Sequence, residues 1–152
     1  MLISRVDISD KDIEDSIYQI LKSNGFAPRR SGDLLLLTGV GSKHGDKSVN
    51  LELNLVDMDG HRILEFKSTI ATKPLTFDQA VLIAAHGNQQ SLVAKFSPIE
   101  YLMDEMHQIS AHFVMNADYL EEKVLSSMLY LFIKELDRID NKLIEMSRGF
   151  QQ

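Results

Sequence analysis

Five histidines, His44, His61, His86, His107 and His112, are the residues of this chain best suited to hold a metal. Two imidazoles reach one ion when they are spaced i, i+4 on a helix or i, i+2 on a strand. No pair here has either spacing, and His107 and His112 would face opposite sides of one strand. Asp57 and Asp59 open like a calcium loop, but its remaining ligands and closing glutamate are missing, so the pair reads as turn chemistry. The carboxylates of Asp104 and Glu105, and those of Glu121 and Glu122, belong to adjacent residues and diverge, which makes poor acid–base pairs. The run Gly39-Val40-Gly41-Ser42-Lys43-His44-Gly45 invites comparison with a nucleotide loop. A phosphate cradle needs a helix N-terminus directly after its glycines, whereas a strand pattern follows here, so the run reads as a flexible hairpin loop. No serine or threonine lies in a G-x-S-x-G nucleophile context. The expectation is a protein without catalytic residues, metal or cofactor. A small enzyme or ligand-binding domain with a dispersed site is the alternative.

Composition points the same way. The chain has 152 residues, 44% of them hydrophobic, which suits one domain, residues 1–152, with a single core. A net charge of -6 argues against nucleic acid as a partner, because binding to phosphate backbones runs on clustered Lys and Arg. Cysteine is absent, which removes disulfides and thiolate chemistry and fits a reducing compartment. The start, Met1 to Asp7, turns charged too early for a signal-peptide core. The longest dense apolar run, Met128 to Ile133, is far short of the roughly 20 residues that span a bilayer. A cytoplasmic protein with no membrane partner is expected.

The elements that must position any site are better marked than the chemistry. Ser9 is placed to cap a helix bearing Ile13, Ile17, Ile20 and Leu21 at helical spacing, with Asn24-Gly25 as its stop. Leu34 to Leu37 reads as a strand central in a sheet. Val49, Leu51, Leu53 and Leu55 alternate with Asn50, Glu52 and Asn54, the cleanest strand signal present. Asp59-Gly60 is a favoured hairpin pair, with a return strand over Arg62 to Ile70 that Pro74 ends. Thr76 and Gln79 have capping-box spacing ahead of a short helix carrying Phe77, Val81, Ala84 and Ala85, closed by Gly87-Asn88. Ser91 to Phe96 reads as strand. Pro98 to Met106 carries both a helix-start pattern and an alternation of Ile99, Tyr101 and Met103; a short helix or irregular excursion is slightly favoured. Gln108 to Met115 is strand again. Asp118 then caps a long last helix with the stripe Leu125, Met128, Phe132, Leu136, Ile139 and Leu143, roughly 40 Å long.

The fold class is therefore α+β: an antiparallel sheet of about five strands with helices mainly on one face, in the order helix, three strands, helix, two strands, long helix. In that layout the chain resembles the type III secretion chaperone-like superfamily, nearest in style to its YbjN-like bacterial sensory-transduction regulator branch. The residues carrying the likeness are the meander from Val49-Asn50-Leu51-Glu52-Leu53-Asn54-Leu55 through Phe66, the passage from Ala84-Ala85-His86-Gly87-Asn88 to Ala94-Lys95-Phe96, and the long helix after Asn116-Ala117-Asp118. A helical Pro98 to Met106 would depart from that family, which usually joins its last two strands tightly. The resemblance implies a small, acidic, non-enzymatic, often dimeric domain that binds proteins, and it supplies no catalytic positions.

One segment exceeds what a single domain needs. Beside the main stripe of the last helix lie Leu129, Ile133 and Ile144, with Val124 and Leu131 on the other flank. The apolar arc is then wider than the roughly 100° required to pack on one sheet face. Leu129, Ile133 and Ile144 are accordingly expected at a protein interface, first with a second copy of the chain. Enclosure of the same residues by the sheet and two other helices is the competing expectation. Glu52, on the wet face of its strand, is expected to meet a basic segment of an unidentified protein partner. A structural subunit of a larger assembly is a third reading of the same features.

Overall fold

The computed structural model describes residues 2–4, 10–32, 34–41, 48–100 and 106–150. Its elements are β1 (Leu2–Ser4), α1 (Asp10–Ser23), β2 (Arg29–Ser31), β3 (Leu34–Gly41), β4 (Ser48–Met58), β5 (His61–Leu75), α2 (Phe77–Gln90), β6 (Lys95–Glu100), β7 (His107–Asn116), β8 (Tyr119–Glu121) and α3 (Glu122–Gly149). An antiparallel six-stranded sheet runs in the order β2-β3-β4-β5-β7-β6, and β1 pairs separately with β8. The α+β layout expected from the sequence is present, with β2 added to the sheet. The chain divides into two units, Met1–Phe66 with Val114–Leu131, and Lys67–Phe113 with Phe132–Gln152.

In the first unit α1 buries Ile13, Ile17, Ile20 and Leu21. It ends in a left-handed turn in which Gly25 has φ 87, Phe26 N–H donates to Leu21 O at 3.1 Å and Gly25 N–H donates to Lys22 O at 3.1 Å. Those two bonds take up carbonyls that the helix end leaves over. The cap expected at Ser9, and the loop residues from Ser42 to Gly45, lie outside the described residues. β3 and β4 pair Leu35 with Leu53 and Leu37 with Leu51 on the dry side, and Leu34 with Asn54 and Leu36 with Glu52 on the wet side. β3 is flanked by strands on both sides only along Leu34 to Leu36, because β2 is three residues long, so it is less central than its apolar run suggests. Asp59 (φ 51) and Gly60 (φ 81) make the β4–β5 turn, and Gly60 N–H donates to Asp57 Oδ1 at 3.0 Å. Both central residues take the positive φ that a two-residue hairpin of this twist requires.

Asp118 does not cap the last helix. It is buried, accepts from Arg62 N–H at 3.1 Å and lies 2.9 Å from His61 Nδ1, while Ala117 N–H donates to Arg62 O at 2.7 Å. The carboxylate thus fastens the start of β5, and β8 intervenes before α3 begins at Glu122.

In the second unit β5 continues past Ile70 to Leu75. Pro74 sits one residue from its end and is exposed, where a missing ladder donor costs little. Ser68, Ile70 and Thr72 keep the buried alternation. β6 starts at Lys95 rather than Ser91 and runs through Pro98 and Ile99 to Glu100, paired with β7 from Lys95↔His112 to Glu100↔His107. A helix from Pro98 is therefore overturned for Pro98 to Glu100. β6 is the outer strand, and proline is tolerated on an outer strand. Residues 101–105, with Asp104 and Glu105, lie outside the described residues.

Candidate functional site

Helix α2 is built to be held tightly on one side and left apolar on the other. Its start is a capping box: Gln79 N–H donates to Thr76 Oγ1 at 3.3 Å and Thr76 N–H donates to Gln79 Oε1 at 3.0 Å. The buried side is Ala80, Ile83, Ala84 and Gly87, an i, i+3, i+4, i+7 seam of mainly small residues. Gly87 is inside the helix, not its stop, and a Cβ there would lie 2.8 Å from the Phe96 ring. The next residue, Asn88, holds the same strand: Phe96 N–H donates to Asn88 Oδ1 at 2.7 Å, and Asn88 Nδ2 donates to Phe96 O at 2.9 Å.

The opposite side of α2 shows Phe77, Val81 and Leu82 at 57%, 41% and 60% exposure, with Ala85 exposed among them. Phe77 stacks edge-on against His107, with ring centroids 5.3 Å apart. Asp78 is the sole Asp, Glu, Lys or Arg on the helix. Of the residues read from the sequence, Phe77, Val81 and Ala85 lie on the outer side and Ala84 on the buried one. Close packing has selected the small residues for the inside, and the larger ones remain in water.

After α2 the chain turns under unusual restraint. Ser91 N–H donates to Gly87 O at 3.0 Å, and Arg138 Nη2 donates to Gln90 O at 2.7 Å. The buried carboxylate of Glu135 accepts from three successive backbone N–H groups: Leu92, Val93 at 2.8 Å and Ala94 at 3.0 Å. Successive N–H groups converging on one carboxylate give charge-assisted bonds stronger than neutral ones. Leu92 is left 96% exposed at the tip of this fixed turn.

The expected interface residues fall in different places. Leu129 and Ile133 are buried within the single chain, and Ile144 is half-buried. The enclosure expectation therefore accounts for Leu129 and Ile133. Of the wide arc on α3, Val124 and Leu131 stay exposed. Glu52 is exposed on the wet face of β4, opposite Leu36.

His61 is joined to Asp118, His86 lies on α2, and His107 and His112 lie on β7. Among the described residues no three His, Cys, Asp or Glu side chains gather as a metal site would need. No helix among them is long and apolar enough to cross a membrane. The outer face of α2 is the signal that sequence reasoning missed, and it was detectable: a helix apolar on both sides must offer one of them to something else. Glu135 and Asn88 had no local signal.

No family model and no curated protein sequence matches the chain. Among solved structures it is similar to the crystal structure of YbjN from E. coli, described as a candidate transcription regulator, with a TM-score of 0.62 at 12% identity, covering 91% of this chain and 93% of that one. The likeness establishes a YbjN-like fold.

Proposed function

We propose that the chain is a non-enzymatic, regulator-like protein-binding domain that works in the cytoplasm as a homodimer. The observation carrying this reading is the outer face of α2, where Phe77, Val81 and Leu82 are exposed on a helix whose other side is firmly seated. Exposed apolar surface of this kind marks a place that a partner covers. A second copy suits it. In a two-fold interface the same patch meets itself, so any charge on it is opposed by a like charge. With Asp78 as its one charge, α2 largely avoids that repulsion although the chain carries -6.

The regulator side of the proposal is supported by the YbjN-like fold. Chaperone-like binding of a further protein, as the resemblance to type III secretion chaperones implies, is its finer form. Sedimentation velocity across a concentration series tests the dimer. Wild type should sediment as a dimer and Leu82→Lys as a monomer with an unchanged melting temperature, because Leu82 is exposed in the single chain. A wild type that stays monomeric at high micromolar concentration would sink the proposal.

A further inference from the structure

The six-stranded sheet ends in β6 on one side and β2 on the other, and the two outer strands are finished differently. An outer strand carries backbone N–H and C=O groups that no neighbouring strand takes up, and an extended segment of another chain can pair with them unless they are blocked. Along the first part of β6 they are blocked. The Asn88 side chain accepts from Phe96 N–H and donates to Phe96 O, which is what a neighbouring strand would do at that residue. Outward-pointing backbone groups recur at every second residue, so the next such position is Pro98, which has no N–H. Ahead of the strand, the N–H groups of Leu92, Val93 and Ala94 are bound by Glu135.

Among the described residues, β2 has no comparable fittings. Arg29, Arg30 and Ser31 are all exposed and pair with β3 as Arg29↔Leu36, Arg30↔Leu35 and Ser31↔Leu34. Beyond that register β3 runs on to Gly41 without a β2 residue opposite. Of the charges beside it, Arg30 is ion-paired with Asp15 at 2.6 Å and lies 4.7 Å from the centroid of the Tyr18 ring, and Lys22 Nζ is 5.8 Å from the same ring. Arg29 points to the other side of the sheet, in one cross-strand row with Leu36 and Glu52. Edge-to-edge pairing of two copies here would set arginine against arginine, and like charges directly opposite are destabilising. The edge is therefore ill suited to a second copy, and the exposed Arg29 is suited to a carboxylate.

We infer that the β2 edge receives an extended acidic segment of another protein, with a carboxylate facing Arg29, since Arg30 is taken up by Asp15. This rests on the protein-binding reading but on a surface separate from α2. A short acetylated and amidated peptide of alternating valine and glutamate is the probe, titrated into the full chain with backbone amide shifts as the readout. Perturbations should map to β2 and to β3 next to it. Arg29→Glu should weaken binding roughly tenfold, because an attraction across the pair becomes a repulsion. Arg29→Gln should lie between, and both variants should melt as wild type does. A proline-interrupted peptide should not bind.

Absence of binding overturns the inference, as do shifts confined to β6 or α2, equal binding of the lysine counterpart, or indifference to Arg29→Glu. Tighter binding of a single-stranded oligonucleotide than of the peptide would reassign the edge to nucleic acid. The dimer test with Leu82→Lys reads α2 alone, so either idea can fail while the other stands.

Discussion

Replacing Gly87 with alanine separates two forces that act on α2 in opposite directions. Inside a helix alanine is favoured over glycine by about 1 kcal/mol, so propensity alone makes the change stabilising. Packing opposes it. The new Cβ would lie 2.8 Å from both Cγ and Cδ2 of Phe96 and 3.3 Å from Cδ1 of Leu143. Phe96 cannot easily retreat: its ring is buried, and its backbone is bonded to Asn88 through both N–H and C=O. Cγ is the root of the ring, so a small rotation of the ring's far end does not relieve the contact. Overpacking costs about 1–3 kcal/mol, and a contact at the root of a held ring belongs in the upper part of that range, about 2–3 kcal/mol, which leaves a net loss of about 1–2 kcal/mol after the helix gain. For a chain of this size that lowers the melting temperature by roughly 3–6 °C. Thermal and chemical denaturation of Gly87→Ala would measure it, with Ala85→Gly on the exposed side as the propensity control, expected to lose about 1 kcal/mol. If Gly87→Ala melts at or above the wild-type temperature while Ala85→Gly behaves as expected, α2 is not seated against Phe96 as described.

Glu135→Ala should destabilise the chain by about 2–4 kcal/mol, because three N–H groups lose a buried charged acceptor, and Glu135→Gln should lose distinctly less by keeping one acceptor oxygen. Equal losses by chemical denaturation would show that the three bonds are not what holds the turn. Leu129→Lys should unfold the chain or cost more than about 3 kcal/mol, since it buries a charge, whereas Leu131→Lys at an exposed position should stay within about 0.5 kcal/mol of wild type. A stable, folded Leu129→Lys protein would place that residue at a surface after all.

The parts of the fold that could be read from sequence are those where a local pattern and its physical cause coincide. Along β4 and β5 the two-residue alternation is visible because one face is dry, and Asp59-Gly60 joins them because both residues accept positive φ. The start of α2 was equally legible, since Thr76 and Gln79 satisfy one another within a single turn. Its buried face was not. The large residues Phe77 and Val81 drew the reading, but the seam that approaches β6 is made of Ala80, Ala84 and Gly87, where small size rather than hydrophobicity decides. β1, β2 and β8 have three residues each, too few to show any period. Asp118 has the look of a helix cap, yet its partners are His61 and Arg62, more than fifty residues away. In the candidate site, the wide arc of α3 was legible as an excess of apolar surface. How much of it the rest of the chain encloses depends on packing that no helix pattern contains, and Leu129 and Ile133 fell on the enclosed part.

Surfaces open to a partner can be found by asking which backbone groups and which apolar side chains the chain leaves unprovided for. Asp118, Asn88 and Glu135 each spend a side chain on backbone groups outside their own element, and wherever they do so those groups are closed to a partner. An unsatisfied N–H is costly when buried and adhesive when exposed, so such side chains act against unwanted pairing as much as for stability. Two such places among the described residues are the outer face of α2, where apolar residues stand in water with hardly any charge among them, and the β2 edge, where exposed strand carries arginines. Their chemistries differ. An apolar face with a single charge can meet its own copy, while an edge that exposes Arg29 sets like charges against its copy and attracts a carboxylate. A single chain can therefore pair with itself through α2 and still keep β2 for a different protein, which is the arrangement a dimeric regulator with a separate target requires.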